Sequence, residues 1–421
     1  MEQRIYTHEI LSGKGIHTLR VILREEFGGT PGTMPKEQLI KKILEIQETK
    51  IVPARNPKGR KPYKPEPEFP ESVIGGMADE TLLSDDEWSI CEMNDSGNVS
   101  EEVLGGYYVD RKDGFGTVYS DGKFFPKGEY FVPKATVATY GLRCGDVVTL
   151  SVIQGPKIPV VTEIFKVNGQ SVHLDMSRRA FESFDAAYPT ERLHLKDKEF
   201  DAYLAKTAPI GFGQRCLVSY NTVESKNKFF DSVVLNLDED AYFIGLVVGC
   251  TPEAASTLRK AEGYEVFCST FDDPAERKCL FADLALGRAK RLAEQGKNVI
   301  LGIGDITEVV KSHHENITTD NTISYVQPTK ASIELLRNLF ASARKLEGAG
   351  SITLLAGFRQ SNASFDQVME STIDRLATNR IYLDSLIRPY GIDSKKSNNE
   401  AAGSILTEEE YKAYLQNKQD R

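Results

Sequence analysis

Between residues 208 and 356, short apolar runs of strand length alternate with longer segments whose apolar residues fall on one helical stripe. This alternation restricts the fold more than any other feature of the chain. The strand-like runs are 216–220, 242–248, 266–269, 299–303 and 352–356. The helical segments include 274–295 and 332–345, the latter with Ile333, Leu336, Leu339, Phe340 and Ala343 on one side. Strands separated by helices pair in parallel, because each connection must cross over the sheet, and the helices then cover both faces. A ligand of such a domain sits at the carboxyl ends of the strands.

The first of these units, APIGFGQRCLVSYNTVESKN at 208–227, runs from a turn containing Gly211 and Gly213 into an apolar strand. A polar loop follows, and then a periodic segment with Phe229, Phe230, Val233, Val234 and Leu237. Strand, loop and helix in that order are the layout of a phosphate-binding P-loop, in which backbone N–H groups and a helix N-terminus receive phosphate oxygens. A working loop needs glycine to wrap the phosphate, a Lys for its charge and a Ser or Thr hydroxyl for Mg²⁺. Ser225, Lys226 and Asn227 stand in those places, so the Lys remains while the glycine and the hydroxyl do not.

The remainder of the 421 residues leaves room for further domains, at about 100–200 residues each. Residues 105–178 read as short alternating strands with Gly-rich turns, the pattern of a five-stranded OB-type barrel. Residues 1–52 read as a helical module, with Leu19, Ile22 and Leu23 on one face and Leu39, Ile40, Ile43 and Leu44 on another. By its pattern alone this is a small helical packing module; the family resemblance given below implies, as the alternative, a role in recruiting nucleic acid. The linker at 53–104 changes sign along its length. Residues 53–65 are Pro-rich and basic (Arg55, Lys58, Arg60, Lys61, Lys64), whereas 66–102 hold twelve Asp or Glu and no Lys or Arg. Such a composition cannot bury a core. We read the acidic half as a solubilising tether, the alternative being a lid that competes with RNA for a basic groove. After an α/β domain spanning 179–393, a tail at 394–421 carries Thr407 as a helix N-cap followed by Glu408, Glu409 and Glu410.

A net charge of −9 argues against a broad basic face for nucleic acid, so any such site is local. Cysteines at 91, 144, 216, 250, 268 and 279 form no C-x-x-C pair and read as reduced core thiols. His313 and His314 lack ligand spacing and read as a solvent-exposed pair. Nucleophile signatures are absent, and no apolar run approaches the ~18 residues of a membrane span. A cytoplasmic protein without metal is expected.

The runs PIGFGQR (209–215), STFDDPAER (269–277), RAKRLAEQGKNVI (288–300), LFASAR (339–344) and GAGSITLLA (348–356) resemble the bacterial transcription termination factor Rho, and the likeness extends over about 105–384. PIGxGQR is shared with rotary ATPase subunits, whereas the STFD run followed by this helix is more particular to Rho. The resemblance implies an N-terminal helical piece, an OB or cold-shock-like barrel that binds single-stranded RNA, and a RecA-like motor working as a hexameric RNA-dependent ATPase. It assigns RNA contacts to Phe115, Phe131, Lys123 and Arg143, with barrel aromatics as the alternative reading of the two Phe. It also assigns vestigial nucleotide contacts to Lys226, Asp305 and Arg215.

The departures from the family pattern fall on functional positions. Thr117 stands for a second stacking Phe, Tyr119 for an Arg, and Ala138 and Thr139 for a basic pair; strand 158–167 lacks the polar residues that read cytosine. Gly249, Cys250, Thr251 and Pro252 replace the segment holding the catalytic Glu. Gly304 replaces the metal-binding Asp, with Asp305 one place late and turned to the other face. No arginine finger can be placed in LIRPYGIDSKKSNNE (386–400), and SYVQPT (324–329) and SNASFD (361–366) replace the two pore loops. The expectation is a Rho-like protein without catalytic residues or a metal. It would bind single-stranded RNA weakly and associate with active Rho subunits or with itself in a full or partial ring. The alternatives are an active RNA-dependent ATPase using ATP and Mg²⁺, and a stand-alone RNA-binding module.

Overall fold

The computed structural model describes residues 8–12, 15–25, 34–49, 104–111, 113–120, 128–153, 158–172, 178–260, 263–317, 327–387 and 390–419. They fall into two compact units, Met1–Glu66 and Pro67–Arg421. In the first, helices His8–Ser12, Ile16–Glu25 and Lys36–Thr49 bury Leu11, Leu19, Ile22, Leu23, Leu39, Ile40 and Ile43 against one another. The two apolar faces read from the sequence meet here. The basic and acidic halves of the linker lie outside the described residues, as does Cys91.

The second unit opens with a barrel of β1 (Leu104–Asp110), β2 (Gly116–Ser120), β3 (Gly128–Val132), β4 (Val147–Ile153) and β5 (Val160–Val167), with a short β6 (Gln170–Ser171) at its end. The strand order is β3-β2-β1-β4-β5-β6, and a parallel pairing of Phe131 with Val160 closes β3 onto β5. Closure removes the exposed edges that an open sheet would present. Tyr108, Val118, Tyr130, Val148, Leu150 and Ile164 fill the interior. Gly116 has to be glycine, because a Cβ there would lie 2.1 Å from the ring of the buried Tyr108.

The α/β part is a sheet of order β10-β9-β11-β13-β8-β14-β15. Here β8 is Arg215–Tyr220, β9 Ala241–Cys250, β10 Glu265–Thr270, β11 Asn298–Ile303, β13 Ser351–Arg359, β14 Asn379–Leu383 and β15 Asn398–Asn399, while the short β7 (Ala186–Ala187) and β12 (Lys345–Leu346) pair with each other beside β13. The first six in that order pair in parallel, and β15 pairs antiparallel. Side chains alternate between two cores, as a sheet covered on both faces requires. Leu217, Val299, Leu301 and Ile303 pack with Phe281, Leu284 and Phe340, whereas Cys216, Val218, Tyr220 and Ile300 pack with Phe200, Phe229 and Val233. The fold is therefore the one expected, a RecA-like α/β domain behind an OB-like barrel. Strand β14 was not among the sequence's strand runs, because its NRIYL holds just three apolar residues.

Ion pairs and a close backbone approach bind the barrel to the α/β domain. The buried Glu265 at the start of β10 accepts from Arg288 Nε at 3.0 Å, Tyr242 Oη at 2.7 Å and the barrel's Tyr107 Oη at 3.2 Å. Arg288 also reaches the barrel's Asn168 Oδ1 at 3.1 Å. The turn at Gly145 lies so close to helix Ala275–Glu294 that a Cβ on Gly145 would sit 2.1 Å from the Arg288 nitrogen. At the other end of the chain, helix Glu408–Gln419 begins with a reciprocal cap. Glu410 N donates to Thr407 Oγ1 at 3.3 Å and Thr407 N donates to Glu410 Oε2 at 3.0 Å. Its buried Tyr414 and the Glu410–Arg192 ion pair at 3.0 Å pack this tail onto the domain.

Candidate functional site

Strand β8 ends at Tyr220, and helix Val223–Val234 begins after Asn221 and Thr222. The residues that would wrap a phosphate have instead joined the helix. The reason is local: Val223, Glu224 and Ser225 carry side chains where a wrapping loop needs glycine, and Thr222 is a strong N-cap. Thr222 Oγ1 accepts from Ser225 N at 3.2 Å, and Thr222 O accepts from Ser225 Oγ at 2.8 Å and from Lys226 N at 3.3 Å. Two N–H groups that a phosphate would use are thus taken within the chain. Glu224 adds a negative charge in the first turn, which repels an anion from that end of the helix.

Lys226 lies over the ring of Tyr220, with Nζ 5.5 Å from its centroid, and forms no ion pair among the described residues. Burial lowers its pKa, an effect the nearby Asp305 carboxylate opposes. Asp305 itself is engaged structurally: Oδ2 accepts from Tyr220 Oη at 2.7 Å and Oδ1 accepts from Thr307 N at 2.9 Å, at the start of helix Ile306–Ile317. Burial, with Asp305 beside it, raises the Tyr220 pKa, so the phenol stays protonated and donates. At the end of β9, Gly249 and Cys250 lead into helix Pro252–Leu258, capped by Thr251. No carboxylate stands at 249–252. Among the described residues no group of three or more His, Cys, Asp or Glu could hold a metal ion. These residues do not fit a Mg²⁺-bound triphosphate.

The carboxyl edge nevertheless holds a cleft of about 700 Å³. Lys226, Asp231, Asp305, Glu308 and Arg359 stand around it, and Phe230, Phe243, Tyr264 and Val266 are among the apolar residues that line it. Sequence reasoning missed the apolar part. The only available signal was the pair Phe229 and Phe230, of which Phe229 is buried in the core and Phe230 faces the cleft.

Arg215 does not join Lys226. It begins β8 rather than ending it, about 17 Å away at ~3.3 Å per residue. Its Nε donates to Leu376 O at 2.7 Å. Arg143 is placed between the barrel and the α/β domain, where Nη1 pairs with Glu294 at 3.0 Å and burial lowers its pKa. On the barrel, Phe131 is 2% exposed, packing on Val160 and on Phe115 with ring centroids 5.1 Å apart. Phe115 keeps partial exposure, and Lys134 Nζ lies 4.4 Å over its ring. Of the two aromatics, Phe115 is the more exposed. Thr117 is buried and accepts from Arg111 Nε at 2.5 Å. Lys123 lies outside the described residues, as do residues 324–326 of the 324–329 loop. His314 corrects the expectation of a solvent-exposed pair. It is buried on the inner stripe with Thr307 and Val310, its ring edge-on to Phe365 at 5.9 Å.

The fold and the carboxyl-edge geometry define a RecA-like α/β domain with an altered phosphate loop, preceded by an OB-like barrel. Among curated proteins, the chain is 26% identical over 364 residues to transcription termination factor Rho of Micrococcus luteus, covering 80% of this chain and 51% of that protein. It is 24% identical over 316 residues to Rho of Borreliella burgdorferi (71% and 61%) and 28% identical over 292 residues to Rho of Streptosporangium roseum (65% and 75%). The chain is thus a distant homologue of Rho. It spans about half the length of the Micrococcus protein. No family model matches it. An ATPase from the type III secretion system of pathogenic bacteria shares the fold at a TM-score of 0.50 and 14% identity, over 64% of this chain and 77% of that one.

Proposed function

We propose that this is a Rho-related, RNA-associated protein whose α/β domain no longer hydrolyses ATP, and that it acts in transcription termination by binding RNA and modulating Rho assemblies. The observation that carries this reading is the phosphate loop drawn into helix Val223–Val234, its N-terminus capped by Thr222. Phosphoryl transfer depends on placing phosphate, metal, water and a positive charge, so losing these parts removes the rate directly. Loss of a general base costs about 10²–10⁴-fold, and loss of an arginine finger about 10³–10⁵-fold.

RNA binding is assigned to the barrel face bearing Phe115 and Lys134, together with Lys123. A single stacking platform, worth ~1–3 kcal/mol per base, supports weak and unselective binding. A stand-alone RNA module fits less well, because Arg288, Arg143 and Gly145 tie the barrel to the α/β domain. The retained fold beside altered chemistry favours an assembly role, with a Rho ring or a second copy of this chain as partner.

The test is ATP turnover by the purified chain with Mg²⁺ and a pyrimidine-rich RNA, alongside Lys226→Ala. No turnover is expected from either protein. Turnover that the substitution abolishes would establish a divergent termination motor instead. Native mass measurements with an active Rho test the partner, and the absence of mixed oligomers would remove that part of the reading.

A further inference from the structure

The cleft at the altered site has the features of a binding pocket rather than of a collapsed remnant. Its volume of about 700 Å³ falls within the ~300–1,000 Å³ of small-molecule sites. Its apolar side is rigid: the Phe243 and Tyr264 rings meet edge to face at 5.7 Å, with Val266 beside them. Gly302 keeps this wall open, since a Cβ there would lie 2.6 Å from the Phe243 ring.

The polar side is asymmetric in charge. Asp305 is satisfied by Tyr220 and Thr307, and Glu308 pairs with Lys311 at 3.3 Å. Lys226 and Arg359 have no carboxylate in ion-pair contact among the described residues. Asp231 also lines the cleft, near Tyr264, where burial raises its pKa. The open positive valence is therefore confined to the end where Lys226 and Arg359 stand by Tyr220. A half-buried ammonium beside an apolar surface gains most from an anion that brings its own apolar body, which displaces water from the wall and leaves the charge at the rim.

We propose that this cleft binds a small amphipathic anion, an aromatic or branched aliphatic acid whose body lies against Phe243, Tyr264 and Phe230 and whose acid group meets Lys226. The inference rests on the reading that the site no longer turns over ATP, and it gives that site a ligand class of its own. A nucleoside triphosphate is a poor match, because its anionic part would need N–H groups that Thr222 has already taken.

The test uses a matched pair of fluorescent probes on the full chain: 8-anilinonaphthalene-1-sulfonate and neutral N-phenyl-1-naphthylamine, which shares its rings and lacks the sulfonate. One-to-one binding is expected, with the sulfonate about tenfold tighter, the loss that follows from one charge-assisted contact. Lys226→Met should bring the sulfonate down to the neutral probe and leave the neutral probe unchanged. Gly304→Leu should weaken both, because a side chain at Gly304 would grow towards Val247 on the cleft wall without a close clash, its nearest atom 3.6 Å from an added Cβ. Equal affinities for the two probes, or a sulfonate affinity indifferent to Lys226→Met, would overturn the anion assignment. Indifference of both probes to Gly304→Leu would overturn the location. ATP turnover is measured separately on the same preparations. Turnover together with the expected probe pattern would refute the loss of catalysis while leaving the cleft's preference standing.

Discussion

Replacing Arg288 with Met should detach the barrel from the α/β domain energetically while keeping most of the side chain's volume. Arg288 and Glu265 are 6% and 2% exposed, and their contact at 3.0 Å is supported by Tyr242, Tyr107 and Asn168. Burial in this network holds Tyr107 well above its ordinary pKa, with the adjacent Glu265 adding to the effect, so the phenol remains a donor. Met can reproduce the aliphatic stem and none of the charge. Glu265 would be left buried and charged with two phenol donors, and removing one partner of such a pair costs about 3–5 kcal/mol. At roughly 2 °C per kcal/mol for a unit of this size, the midpoint of thermal unfolding should fall by about 6–10 °C. Far-ultraviolet circular dichroism with urea gives the free energies, and Glu265→Gln completes a double-mutant cycle. The double variant should be at least ~2 kcal/mol more stable than the sum of the single losses predicts. A loss below ~1 kcal/mol for Arg288→Met, the scale of an exposed pair, or a cycle without coupling, would refute the reasoning.

Three further outcomes follow from the same geometry. Gly145→Ala should cost more than about 2 kcal/mol, since it combines φ of +84° with a Cβ 2.1 Å from Arg288 N. Gly169→Ala, with φ of +79° and open space around it, should cost only the strain of about 1–2 kcal/mol, and denaturant midpoints compare the two. Alkaline pH should unfold the second unit. Burial raises the pKa of Tyr107, Tyr108, Tyr220 and Tyr242, so the unfolded chain loses phenolic protons that the folded one keeps. Their stabilising contribution is complete below pH ~10 and falls as pH rises from there towards the raised folded values, so tyrosinate absorbance should appear together with loss of circular dichroism. Stepwise ionisation of an intact fold would contradict this. Finally, burial pushes the thiols of Cys144, Cys216 and Cys279 up to about 12. Alkylation of the native protein at pH 8, followed by peptide mapping, should modify them about 10³-fold more slowly than a free thiol, and ordinary rates would show that these sites open readily.

The α/β domain was legible because a sheet covered on both faces writes itself as apolar runs such as LVS and VILGI, separated by helical stripes. Strand β14 was not, since neighbours rather than composition bury Asn379, whose Nδ2 donates to Pro209 O at 2.7 Å. The altered phosphate loop was visible in Ser225, Lys226 and Asn227, and the missing carboxylate in 249–252. The surroundings of Arg143 and Arg215 were not legible, for one reason. A cation in sequence carries no mark of whether it faces a ligand or a carboxylate 151 residues away, as Arg143 faces Glu294.

The sequence by itself determined the order of modules, the parallel sheet and the residue types at the carboxyl ends of its strands. These depend on periodicity and residue type, which are local properties of the chain. Tertiary structure alone decided that the would-be phosphate loop starts a capped helix, and that Phe131 is buried while Phe115 is not. It also decided that Arg288 serves the barrel and that an apolar cleft opens beside Lys226. Those outcomes depend on which distant groups compete for the same hydrogen bonds and the same volume, and that competition is settled only when the sheet, its helices and the barrel are packed together.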